Sequence, residues 1–433
     1  MLLNYAIDAG WDNYIVGGIL AILGAGISSR AITFMSDQVG ASKTQRVALI
    51  PYIYLLIIFC SVIYGYFLES YGLRVVLKSV VIAFYPIAVA TLFLVLESDQ
   101  ERRLLSFEIL LLSVVVYVVV NVILKILGFE PTKHIFDYSM TGYGKAKILG
   151  LLGMSADRDL FPLTSGLTTF GAISGLSTLI CFYFLRSSKN GYFLLISMVG
   201  MLLSLYALTI SDARAAIAWV MVLILLELVI KKKYKPLVVK SILVVSIFFP
   251  FVLSAVSGYL ASKDAMSTVS RNDSSIGTLN GRVDIWNVVL DRTSVLSLHT
   301  IVGWGFEGHK TSGMSDIYKK YFGLHRLHAD KTTTHNMSLQ LFVDVGLIGI
   351  FAWVLLIWSL VRTIELRKLD RRLYMLLAFF LLIGATDAAP TIYQPDLMMA
   401  FAIIVLGIGS LQSNSRRNRH PQMREVIQYK SPV

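Results

Sequence analysis

The chain has few cysteines, fewer acids than bases, and none of the short motifs of soluble nucleotide enzymes. Each shortage removes a class of function. Its 433 residues hold two cysteines, Cys60 and Cys181, both inside apolar runs. They are too few and too buried for a disulfide framework or a metal site. Acidic residues number 27 against 39 Lys and Arg, a formal net charge of +12. On a soluble domain that excess would suggest nucleic acid. Here many cations stand in short stretches between apolar runs, where they act as topology signals, and no nucleic-acid partner is expected. No Gly-Lys-Ser/Thr phosphate loop follows a strand, and no internal repeat is evident. The opening MLLNYAIDAGWDNY has neither a basic n-region nor a small-residue cleavage site, so no signal peptide is expected.

What is present is apolar length. The chain is 56% hydrophobic, above the about 45–50% of soluble domains. The excess lies in runs of about 18–22 residues, long enough to cross a bilayer as helix. Runs at 14–34, 47–67, 76–96, 104–127, 166–185, 192–210, 213–230, 236–260, 336–361, 373–388 and 394–411 predict an all-α polytopic membrane protein of about 11–12 spans. Barrel strands would alternate instead. Arg186 and Lys189, then Lys231 to Lys235, then Arg362 to Arg372, then Arg416 to Arg419 all fall on one side of this count, the expected cytoplasmic side. The predicted organisation is N-terminal spans 1–127, an external loop 128–165, spans 166–260, a large external (periplasmic) loop 261–335 with short helices, spans 336–412 and a cytoplasmic tail 413–433 in a bacterial inner membrane.

The 261–335 interruption carries Arg271, Arg282, Arg292, Lys310, Lys319, Lys320, Arg326 and Lys331, with five of the seven histidines: His299, His309, His325, His328 and His335. So long a loop is functional or disordered. Within it Val283, Trp286 and Leu290 recur at helical spacing, and Arg282 shares a face with Trp286. This predicts a short amphipathic helix, whose plain reading is a helix lying on the membrane surface. In Gly303-Trp304-Gly305-Phe306-Glu307-Gly308 the glycines imply tight turns, with Trp304 and Phe306 as candidate sugar-stacking or lipid-facing groups. His335 stands at the lip of a span, where an imidazole can act as acid or base near neutral pH. Its neighbours Thr334 and Asn336 serve equally well as a helix cap. Asp344 is an acid inside an apolar run, a position usually functional or paired.

Two sites outside the loop complete the set. Arg214 follows Ser211-Asp212-Ala213 at a helix mouth among small residues, with room for a bulky anion. It reads equally as a snorkelling arginine paired with Asp212. Arg158 lies in Ala156-Asp157-Arg158-Asp159. The Asp157-x-Asp159 spacing formally matches a metal-holding pair of soluble sugar transferases, but alone it is weak and reads as a solvated loop. No metal and no cofactor is expected.

In order and topology these elements resemble the O-antigen ligase and O-antigen polymerase superfamily of bacterial envelope glycosyltransferases. The resemblance covers about 155–355. A Ser211 to Arg214 mouth precedes Gly281-Arg282 and Trp286, then Gly303-Trp304-Gly305, then His335-Asn336-x-x-Leu339 entering a span with Gly346 and Gly349. The family often has an adjacent Ser-Arg pair; here two residues intervene. The resemblance implies a sugar chain on undecaprenyl pyrophosphate as donor. Arg214 and Arg282, with Arg158 as a third, would hold the departing pyrophosphate in place of a metal. His335 would deprotonate the acceptor hydroxyl in an inverting displacement. Trp286, Trp304 and Asn336 would contact substrate. Implied partners are the lipid-linked donor, a glycan or lipid A-core acceptor, membrane lipid and a chain-length regulator.

The reading favoured is a polymerase of lipid-linked repeats for O-antigen, capsule or exopolysaccharide, on the prior that such genes are more numerous and more divergent. A ligase that moves the glycan to lipid A-core is the alternative, and a protein O-oligosaccharyltransferase a third. From another class, a transporter or flippase would be expected to show paired halves with broken helices and midplane charges. The sequence shows no such symmetry. A structural or receptor role would not need arginines and a histidine at successive helix mouths.

Overall fold

The computed structural model describes residues 50–69, 100–130, 158–164, 166–187, 191–261, 282–317, 333–391 and 393–411. These residues are helical or irregular, with no strand among them. The long helices are α1 (Ile50–Glu69), α2 (Gln100–Ile126), α3 (Leu167–Ser187), α4 (Gly191–Ile210), α5 (Arg214–Val229) and α6 (Lys235–Ala261). The segment after α6 holds three short ones: α7 (Arg282–Arg292), α8 (Leu298–Val302) and α9 (Gly308–Thr311). The chain then forms α10 (Met337–Leu366), α11 (Leu373–Thr386) and α12 (Pro395–Ser410).

Among the described residues, five helices are long and apolar enough to cross a membrane: Glu101–Ile126, Leu167–Ser187, Gly191–Ile210, Lys232–Val256 and Met337–Leu366. The chain is thus an all-α polytopic membrane protein. The first and third apolar runs, 14–34 and 76–96, lie outside the described residues.

Packing follows membrane rules, in which small residues let helices approach where apolar surface alone gives no driving force. A Cβ on Gly200 of α4 would stand 2.8 Å from Val115 of α2 and 3.1 Å from Cys181 of α3. One on Gly407 of α12 would stand 2.3 Å from the Phe107 ring of α2. The Ser177 and Ser204 hydroxyls join α3 to α4 at 2.7 Å.

The bundle has two chemically distinct ends. At one, Arg103 Nη1 donates to the Ser410 carbonyl at 2.8 Å, and Arg367 Nη1 to those of Gly409 and Leu411 at 2.6 and 2.8 Å. Lys235 pairs with Glu227, and Arg372 with Asp370. Helix α5 runs antiparallel to α11: Leu226 and Ile230 near its C-terminus share a cleft with Tyr374 and Met375 near the α11 N-terminus. The start of α5 therefore lies at the same end as the close of α11, opposite the basic belt. The start of α10 is there too, because the Asn336 Nδ2 donates to the Ala385 carbonyl at 2.9 Å.

Helix α10 is interrupted. Gly346 has φ 68° and ψ −161°, outside the helical region. The interruption receives the glycine-rich loop: Trp304 N–H donates to the Val343 carbonyl at 2.8 Å and Gly305 N–H to that of Asp344 at 3.0 Å. Gly303 has φ +79°. A Cβ there would stand 2.4 Å from the Asp344 backbone, and one on Gly346 2.3 Å from the Ile301 carbonyl oxygen. These two glycines are required by both close approach and positive φ. Non-helical backbone at membrane depth persists only where protein satisfies it. One half of the transporter expectation, a broken helix, is thus present, but its freed carbonyls are taken up by the loop. Gly303→Val is expected to insert without forming this junction. Limited proteolysis should then cut the α8–α9 loop faster than in wild type; equal cleavage rates would dismiss the junction.

Candidate functional site

His335 occupies the turn into α10. Asn336 caps that helix, its Oδ1 accepting from Leu339 N at 2.9 Å. This is the cap anticipated for Thr334 or Asn336. Thr334 is also tied down: its N–H donates to Gln340 Oε1 at 3.0 Å and its hydroxyl to the Asn336 carbonyl at 2.8 Å. With both neighbours fully buried, the chain turns outward between them. His335 takes φ +49°, a region histidine adopts more readily than most residues. Its side chain is 37% exposed, with Nδ1 directed inward at 3.5 Å from Asp387 Oδ1. That is an ion-pair distance, longer than a formed hydrogen bond. Nε2 is left as the ring nitrogen that can meet a substrate. Catalytic hydrogen bonds are often long in free enzymes and tighten when substrate binds.

Asp387 immediately follows α11. It is buried, and its Oδ1 accepts from Ala388 N at 2.8 Å. Burial alone would raise its pKa. Pairing with His335, the positive charge of Arg282 and the Ala388 amide outweigh that and bring it below the usual carboxylate value. It therefore remains an anion facing the imidazole, which can fix the ring's orientation and stabilise a proton gained at Nε2.

Arg282 is the first residue of α7, and its Nη1 donates to the Thr386 carbonyl at the C-terminal end of α11. A guanidinium there complements the negative end of the helix dipole. The helix is the one expected from spacing, and its apolar face packs on protein. Val283, Ile285, Trp286, Val288 and Val289 are buried against Phe249 and Leu253 of α6 and Leu339 and Val343 of α10. Arg282 and His335 thus arrive from different helices at consecutive residues, Thr386 and Asp387.

Arg158 and Arg214 form a second cluster. Both Nε atoms lie 3.8 Å from Asp212 Oδ2. Arg158 also donates to the Ser211 carbonyl through Nε and Nη2, at 3.2 and 3.0 Å. Its segment is anchored on α2: Tyr117 hydroxyl donates to the Leu163 carbonyl at 2.6 Å, and Leu163 N to Asn121 Oδ1 at 2.8 Å. Asp212 is 1% exposed and has φ +47°. The pairing of Arg214 with Asp212 anticipated from sequence is present, and the same carboxylate also recruits Arg158. Arg214 retains 24% side-chain exposure, against 8% for Arg158. Arg214 is thus the better placed of the two to reach an external anion.

The structure gives the three expected substrate contacts, Trp286, Asn336 and Trp304, structural partners of their own. Trp286 is 1% exposed, and its Nε1 donates to the Thr334 carbonyl at 2.8 Å. It braces the His335 turn from behind. Asn336 is fully buried and acts as cap and cross-link. Trp304 is half-buried, with a ring stacked on His299 at 5.1 Å between centroids and 10° between planes. Its free area for a sugar is correspondingly reduced. Two other loop histidines are packed: His299 stacks on Trp304, and His309 is 2% exposed. Burial pushes the His309 pKa down to about 4, so it is a neutral packed ring. His325 and His328 lie outside the described residues.

Asp159, expected in a metal-like pair or a solvated loop, forms an ion pair with Lys125 at 2.7 Å, and its Oδ1 accepts from Leu160 N. Asp157 lies outside the described residues. Among those described, no three His, Cys, Asp or Glu side chains converge as a metal site.

Asp387 is the site residue that sequence reasoning passed over. It sits in the predicted run 373–388 as an acid near the end of a span, the same signal that singled out Asp344. Asp344 itself is paired. Its Oδ1 accepts from Gly308 N at 3.1 Å, and its Oδ2 from Gln340 Nε2 and the Tyr393 hydroxyl at 3.0 and 2.9 Å.

Residues 199–354 match the family model described as O-antigen ligase. A Rickettsia typhi protein provisionally named a polysaccharide ligase is 24% identical over 169 residues, 38% of this chain and 39% of the relative. The chain thus aligns with well under half of that relative's length. No solved structure matches. The family match spans Arg214, Arg282, Gly303 and His335, the residues whose order first suggested it. On these grounds the stretch 199–354 of this multi-pass membrane protein is similar to the O-antigen ligase family.

Proposed function

We propose that this protein transfers a glycan from a lipid pyrophosphate to a hydroxyl acceptor at the outer face of the bacterial inner membrane. The observation that carries the reading is the convergence of Arg282 and His335 on Thr386 and Asp387, at the end of the bundle opposite the basic belt. Basic belts face the cytoplasm; this supports reading the His335 end as external, where lipid-linked rather than nucleotide-linked sugars are the available donors.

The acceptor oxygen attacks the anomeric carbon while its proton passes to His335 Nε2. The C–O bond to pyrophosphate breaks on the opposite face, and the electron pair leaves with the lipid pyrophosphate. Arg282 and Arg214 supply fixed positive charge where that negative charge grows, the term usually largest in such catalysis. Guanidinium suits the task because it pairs bidentately with phosphate. Asp387 holds the imidazole and balances its charge after proton uptake. Arg158 serves mainly to hold the 211–214 turn.

Both comparisons carry a ligase name. We therefore place transfer of a finished chain onto a lipid acceptor ahead of the polymerase reading that numbers of genes favoured. Deletion followed by gel analysis of the surface glycan separates the two. Full-length chains stranded on polyprenol are expected. Accumulation of single-repeat products would replace ligase by polymerase, and an unaltered glycan would end both.

A further inference from the structure

A cavity between α1, α10 and α12 is not used by the chemistry above. Its empty space is about 730 Å³, open margin included. Its walls are apolar: Tyr54 of α1, Leu356 of α10, and Met398, Phe401 and Val405 of α12. Apart from the Tyr54 hydroxyl, the polar side chains are those of Ser61, Gln340, Asp344, Thr391 and Tyr393.

Three of those polar groups lead directly toward the His335 turn. Tyr393 hydroxyl and Gln340 Nε2 both donate to Asp344 Oδ2, while Gln340 Oε1 accepts from Thr334 N. Thr334 precedes His335, and the stretch between α11 and α12 holds both Asp387 and Tyr393. The cavity's polar side is therefore built from the same two segments as the reacting end. Its apolar side runs toward Leu356 and Leu406, deeper along α10 and α12. Apolar walls with a few polar groups at one side are the usual form of a small-ligand site. Between helices of a membrane protein, the matching ligand is a single hydrocarbon chain with a polar end.

We propose that this cavity binds one hydrocarbon chain of a membrane lipid, its polar end toward Gln340, Asp344 and Tyr393. The chain has two sources, the prenyl tail of a glycan carrier or the acyl chain of a phospholipid. The prenyl source rests on the function proposed above; chain binding itself does not.

The test uses the full-length protein in nanodiscs with two photoreactive probes, a diazirine-bearing polyprenyl phosphate and a diazirine-bearing phosphatidylethanolamine. Peptides are mapped by mass spectrometry. Labelling is expected on α10 and α12 around Leu356 and Val405, and it should fall about tenfold on adding unlabelled lipid of the same class, equivalent to about 1.4 kcal/mol. The variants Ala402→Trp and Val405→Phe narrow the cavity and should reduce labelling similarly. Competition in wild type keeps the test decisive if either variant fails to fold. Label on these peptides from the prenyl probe assigns a carrier tail, and label from the phospholipid assigns a bilayer chain. Label confined to exposed α4 residues such as Leu195 and Leu202, with none competed at α10 and α12, overturns the proposal. His335→Ala should retain cavity labelling, so a wild-type protein that labels but leaves surface glycan unaltered on deletion would refute only the transferase reading.

Discussion

His335→Ala is expected to stop glycan transfer while leaving the proposed lipid-linked donor bound. The expected loss is about 10²–10⁴-fold in turnover, the usual contribution of a positioned general base. Donor affinity should change little, because His335 sits on the acceptor's side of the proposed displacement. Asp387→Asn separates a base from a bystander. If Asp387 orients the imidazole and balances its charge, the variant loses about 10–100-fold, as for other orienting partners of a functional histidine. The pH profile should also move, because the ring would no longer face an anion. Burial works against ionisation of Asp387, but His335, Arg282 and the Ala388 amide more than offset it, so the carboxylate stays charged below its usual range. The anionic partner is therefore present at neutral pH and is lost only as pH falls through that lowered value. Wild-type turnover in His335→Ala would exclude the histidine as base. An unchanged profile in Asp387→Asn would reduce that residue to packing.

Arg282→Ala is expected to lower turnover by about 10²–10³-fold, the cost of removing one fixed stabiliser of developing negative charge. Arg282→Lys should recover little, because an ammonium neither pairs bidentately nor reproduces the planar fork. The structure adds a complication, since Arg282 also donates to the Thr386 carbonyl at the end of α11. Loss of that contact alone would loosen α11 and show in thermal stability. A rate loss without a stability loss is the outcome that favours charge stabilisation. Near-normal transfer by Arg282→Ala would end the pyrophosphate role. The same reading expects full activity in excess EDTA. Activity lost to EDTA and restored by Mg²⁺ or Mn²⁺ would bring Asp157 and Asp159 back as ligands, against the ion pair Asp159 makes with Lys125.

Apolar run length was enough to place the helices. The described long helices fall on the predicted runs because a span needs a fixed length of apolar residues whatever surrounds it. The short helix at Arg282 was also legible, from Val283, Trp286 and Leu290 at helical spacing. Its surroundings were not. Periodicity shows which face is apolar, not whether lipid or protein covers it, and here α6 and α10 cover it. Trp286 and Asn336 illustrate the same limit. An exposed aromatic that meets a sugar and a buried one that braces a turn read identically in sequence. Only burial and the Thr334 and Ala385 carbonyls distinguish them.

By itself the sequence determined the class of the protein, the positions of the described long helices, the place of His335 just before α10 and the ordered set of arginines. These depend on local composition and on charge at helix ends. Tertiary structure decided which of those residues meet. Asp387 joins His335 although 52 positions separate them in the numbering. Arg282 reaches Thr386 across a separation of 104. Arg158 and Arg214 share Asp212 because the 158–164 segment is anchored on α2. The glycines at 303 and 346 acquire their meaning only at this junction, since a Cβ on Gly303 would stand in the Asp344 and Val345 backbone and one on Gly346 in that of Ile301 and Gly303. Contacts between residues far apart in the chain arise from how helices pack, and no local pattern encodes that.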